Sequence, residues 1–74
     1  MLDKVKNYYE SELKSAKLTC NCKLFSKKEV ISNAVMRCLG VAIFVQTADE
    51  TILYDDIDKL YEEYRTKLEE LENV

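Results

Sequence analysis

The chain has 74 residues, 47% of them hydrophobic and 34% charged, with one Gly, no Pro, no His and no Trp. That excludes collagen-like, disordered and loop-rich chains, and a domain this small buries only about 60% of the surface its unfolded form exposes. The net charge of -3 divides into +4 over residues 1–38 and -7 over residues 39–74.

Without His, most nucleophile–base pairs and the usual zinc ligand sets lack their parts, so the expectation is a protein that is not an enzyme and carries no cofactor. A pI near 4.9 argues against a dedicated nucleic-acid binder. The opposed charge of the two halves fits helices lying side by side, within one chain or across a dimer.

The N-terminal run Met1-Leu2-Asp3-Lys4-Val5-Lys6-Asn7 alternates apolar with charged residues and holds no secretory apolar core, which predicts a cytoplasmic location and reduced thiols. Leu2, Val5, Tyr9, Leu13 and Ala16 recur at three- and four-residue spacings and predict a first helix over residues 2–17. Leu18 falls off that stripe, and Thr19-Cys20-Asn21-Cys22 are weak helix formers.

Ser26-Lys27-Lys28-Glu29 has the form of a capping box, with Phe25 and Val30 placed as a hydrophobic staple, so a second helix should begin at Lys27 and run to 47. From Cys38 onward its apolar residues go nearly all the way round, and such a helix needs cover on several sides. Its most apolar stretch, Val30 to Val45, falls short of the roughly 20 residues that cross a bilayer, so no membrane partner is expected. Gly40 costs about 1 kcal/mol relative to Ala inside a helix and opens an alternative α+β reading. In that reading Val41–Gln46 and Thr51–Tyr54 pair as a hairpin within 41–54, across Ala48-Asp49-Glu50.

The third helix, over 55–72, carries Ile57, Leu60, Tyr61, Tyr64, Leu68 and Leu71 on one face, with Asp55 as its expected cap. Asp56 and Asp58 then belong to its first turn rather than to a calcium loop, which would need a Gly turn and a distant Glu. Tyr9, Tyr61 and Tyr64 lie on the apolar stripes, as packing residues.

These elements predict an all-α domain of three helices spanning 1–74, with the middle helix most buried. Two narrow outer stripes cannot cover a helix that is apolar all round, so a homodimer through helix two is expected, with Val35, Leu39, Ala42, Ile43 and Phe44 as interface candidates. The function class is a non-enzymatic interaction or regulatory module whose partner is itself, with another protein as a further possible partner. Two alternatives stand beside it. Lys14, Lys17, Lys23, Lys27 and Lys28 flank the start of helix two and form a candidate anion patch for phosphate or nucleic acid. Cys20, Cys22 and Cys38 are weak candidates for a metal or redox site, expected instead as two exposed thiols and one core residue.

Overall fold

The structure, a computed structural model, describes residues 2–49 and 51–73. Met1, at the head of the N-terminal reading, and Glu50, in the turn of the alternative hairpin, lie outside them. Three helices follow one another, α1 (Leu2–Cys20), α2 (Lys27–Ala48) and α3 (Tyr54–Glu70), and a 3-10 turn, Leu71–Asn73, follows α3. The all-α reading holds, and no strand is present among the described residues.

The hairpin is absent because α2 continues through Val41–Gln46 to Ala48. Asp49 then ends it: its amide donates to the Val45 carbonyl at 2.9 Å, and its carboxylate accepts from the Thr51 amide and hydroxyl at 3.0 and 2.5 Å. These bonds turn the chain into α3 and hold the Asp49 carboxyl below its ordinary range.

The other boundaries move by a turn or less. α1 runs three residues past Lys17, because Cys20 continues the inward stripe of Leu13 and Ala16, and the Thr19 hydroxyl bonds back to the Ser15 carbonyl at 2.9 Å. Ser26 occupies the expected N-cap position with extended backbone, but its side chain makes no capping bond and Phe25 stays 58% exposed. The start of α2 is thus placed by its backbone and inner face. The cap of α3 is Leu53, and Asp55 lies with Asp56 inside the first turn, where exposed amides favour carboxylates.

Cross-links between helices fix the topology. Tyr9 meets Cys38, and Glu12 meets Arg37, so α1 and α2 are antiparallel. Glu10 meets Tyr64, and Leu71 shares a groove with Lys17, so α3 runs parallel to α1 at a steady offset. The result is an elongated up-down-up bundle of 42 × 17 × 16 Å. Its core is a line of Val5, Tyr9, Leu13, Ala16 and Cys20 from α1, Ile31, Ala34, Cys38, Ala42 and Val45 from α2, and Ile57, Tyr64 and Leu68 from α3. Each large aliphatic member is worth about 1.5–3 kcal/mol once removed from water.

Two buried phenols tie this core. The Tyr9 hydroxyl donates to the Cys38 carbonyl at 3.1 Å, and the Tyr64 hydroxyl donates to the Glu10 carboxylate. Their rings pack at 5.6 Å between centroids, and the Lys67 ammonium lies 4.7 Å from the Tyr64 centroid.

Candidate functional site

An α-helix advances 100° per residue, so only about half of α2 can face the two helices that cover it. Ile31, Ala34, Cys38, Ala42 and Val45 take the covered arc. On the opposite arc lie Glu29, in the first turn, and then Asn33, Met36, Gly40, Ile43, Phe44 and Thr47, all of them exposed. Met36 is 63%, Ile43 55% and Phe44 70% exposed, an apolar surface where a lone domain would place polar side chains. Arg37, at the edge of this arc, is drawn toward α1 by Glu12, with 2.9 Å between guanidinium and carboxylate. The Thr47 hydroxyl donates back to the Ile43 carbonyl at 2.9 Å, and Met36, Gly40, Ile43 and Phe44 carry no charge.

Gly40 stands at the centre of the strip. A Cβ built there would meet nothing within 4 Å, and its φ is not positive, so packing within the chain does not require glycine at this position. Further exposed apolar residues stand at both ends of the bundle, Leu24 and Phe25 before α2, and Leu53 and Tyr54 at the start of α3.

The structure sorts the five interface candidates. Ile43 and Phe44 point outward, Val35 and Leu39 are half-buried on the flank, and Ala42 is turned into the chain's own core at 4% exposure. The middle helix is therefore not covered all round: α1 and α3 bury one side of it and leave the other open. Met36 and Gly40 belong to the open face although sequence reasoning did not select Met36. A helical wheel centred on Gly40 would have found it, since Met36 and Phe44 lie four residues to either side.

α2 is also longer than its apolar stretch from Val30 to Val45. With 22 residues and a mean hydropathy of 1.5 in its best window, it is long and apolar enough to cross a membrane by length and composition, contrary to the length expected from Val30 to Val45. Arg37 lies mid-helix, however, and a charge at the centre of a bilayer costs about 2.5–3.5 kcal/mol.

The three thiols are not brought together. Cys38 lies at the level of Tyr9, and Cys20 is eleven residues further along α1, about 16 Å away along the axis. No group of three His, Cys, Asp or Glu suited to a metal occurs among the described residues. Cys20 is buried rather than exposed, Cys22 is half-buried, and Cys38 is fully buried, where loss of hydration pushes its thiol up to about 11. A thiol reagent at neutral pH should therefore modify Cys22 first, Cys20 slowly and Cys38 only on unfolding. Peptide mapping at successive times checks that order, and early labelling of Cys38 would contradict the packing described.

The lysines gather near one end of the bundle, where Lys17, Cys20, Asn21, Lys27 and Leu71 line a cavity of about 280 Å³. Lys14, Lys23 and Lys28 are exposed and Lys27 is half-buried. The patch is not purely basic, because Lys17 also shares a groove with Glu10, Glu70 and Lys67. Acidic residues of α1 and α3 lie among these lysines, as expected of oppositely charged helices packed side by side.

No family model, curated protein or solved structure matches the chain.

Proposed function

We propose that this protein is a non-enzymatic interaction module of the cytoplasm, and that its working part is the outward face of α2. One observation carries the reading: Met36, Ile43 and Phe44 form an uncharged apolar strip around Gly40 on a helix whose other side is fully engaged. Burial of such surface is worth about 25 cal/mol per Å², a driving force that a binding partner recovers and a solitary chain forgoes. The absence of His from the sequence and the separation of the thiols support a role without catalysis.

A photo-crosslinking residue in place of Phe44 tests this in the cells that make the protein, with the same residue in place of the exposed Glu63 of α3 as control. Covalent adducts should form efficiently from position 44 and sparsely from position 63. Equal, sparse labelling from both positions would remove the reading.

A further inference from the structure

We infer that the occupant of this surface is a second copy of the chain, docked antiparallel through α2 about a two-fold axis at Gly40. The inference rests on the interaction reading above and adds the partner and its orientation.

Position along the helix is the first argument. In an antiparallel pair centred on Gly40, residues equally distant from it face one another. Met36 and Phe44 are each four residues away. Each thioether then lies against the ring of the partner's Phe44, twice over, and sulfur–aromatic contact adds to the area buried. Ile43 and Arg37 are each three residues away and share the flank of the seam, where the Arg37 guanidinium is turned toward Glu12 of its own chain. Asn33 and Thr47 are each seven residues away, so polar side chains meet polar ones at the rim.

Gly40 is the second. In the interior of a 22-residue helix it costs about 1 kcal/mol against Ala, with open space where its Cβ would stand. A second backbone crossing at this point gives the glycine a role, because removing Cβ from both helices lets their axes come inside the usual 8–10 Å or so.

Charge sets the direction. At the N-terminal end of α2 exposed Lys23 and Lys28 outnumber Glu29, and at its C-terminal end Asp49 and Asp56 share a groove, with Asp55 exposed next to Asp56 in sequence. Antiparallel docking sets basic end against acidic end twice and opposes the two helix dipoles. A parallel pair would stack like ends together.

Area sets the strength. From Asn33 to Thr47 the strip is about 21 Å long and about 10 Å wide and offers each copy on the order of 200 Å², well below the roughly 800 Å² per partner of a standard interface. The dimer is accordingly weak and exchanges with monomer as the protein is diluted.

Sedimentation equilibrium over a wide concentration range should show reversible monomer–dimer exchange. Gly40→Leu, with its helix content unchanged, should raise the dissociation constant at least about tenfold. Orientation is read by disulfide trapping with peptide mapping. With Cys22 replaced by Ser in every chain, a mixture of Met36→Cys and Phe44→Cys chains should form the mixed disulfide, while either variant alone stays mostly unlinked. Efficient linking of each variant to itself, without preference in the mixture, would overturn the antiparallel arrangement.

The same photo-crosslinker at position 44 separates the remaining cases. Adducts between copies support the proposal. Adducts with a different protein, or with phospholipid in vesicles of anionic composition, from a chain that sediments only as monomer would overturn the second copy while leaving an interaction surface. Absence of any adduct in cells or in concentrated protein would remove both readings.

Discussion

Ala42→Asp should abolish cooperative folding of the single chain. Ala42 is 4% exposed on the inner face of α2, between Cys38 and Val45, and the core holds no buried polar or charged side chain among the described residues. A carboxylate placed there has no cation to pair with, and its effective burial penalty is several kcal/mol even after relaxation. At about 0.05–0.15 kcal/mol per residue, a chain of this length has roughly 4–11 kcal/mol in total, so one such penalty removes most of it. Phe44→Asp, only two residues away but on the open face, should shift the stability of the monomer by no more than about 0.5 kcal/mol. Circular dichroism with urea titration, at a dilution where the wild type is monomeric, reads both. A folded Ala42→Asp chain with wild-type midpoint would mean that α2 is rotated from the position described.

Tyr64→Ala has the next largest effect. The ring is fully buried, packs against Tyr9 and lies beneath Lys67, so truncation leaves a cavity at the centre of the α1–α3 contact. Large aromatic-to-alanine changes in cores cost about 3–5 kcal/mol, a major share of what this chain has. Tyr64→Phe keeps the ring and gives up only the bond to Glu10, so it should cost about 1 kcal/mol. Urea titration of the two variants separates the cavity from the hydrogen bond, and equal losses would show that packing is not what Tyr64 contributes.

The same buried phenols predict an alkaline limit. Burial pushes the Tyr9 and Tyr64 hydroxyls from 10.0 up to about 12, with the Glu10 carboxylate adding to the effect at Tyr64. Burial likewise pushes the Cys38 thiol from 9.0 to about 11. Each group is raised in the folded chain, so its stabilising contribution is complete below the unfolded value and is lost as pH climbs toward the folded one. Stability should therefore hold to about pH 9 and fall between there and about pH 12. Unfolding should coincide with the late fraction of tyrosinate absorbance. If every tyrosine titrated near pH 10 with the fold intact, the two phenols would not be buried as described.

Much of the fold is legible in the chain because it is written locally. The stripe Val5, Tyr9, Leu13 and Ala16 and the stripe Ile57, Tyr64 and Leu68 are periodic in sequence and buried in the structure. Each needs only the pitch of a helix to be read. The start of α2 at Lys27 is equally legible from the residue types around Ser26, although Ser26 makes no capping bond and the backbone and inner face hold that start in the structure. The choice of helix over hairpin at 41–48 follows from continuity, since a helix already begun adds residues at less cost than a hairpin nucleates.

The orientation of α2 is a different kind of property. Where apolar residues surround a helix, periodicity carries no preferred face, and Ala42 and Phe44 look alike in sequence. Their separation, one into the core and one into the open, comes from where α1 and α3 press. Those two stripes cover only about half of the cylinder. The same contacts carry α1 on to Cys20, bury that thiol, and hold Cys38 far from it. Helix number, type and approximate length were thus determined by the sequence itself, through local spacing and backbone propensity. Which face of the middle helix stays open, with Gly40 at its centre, was decided only by tertiary packing, because coverage depends on all three helices together.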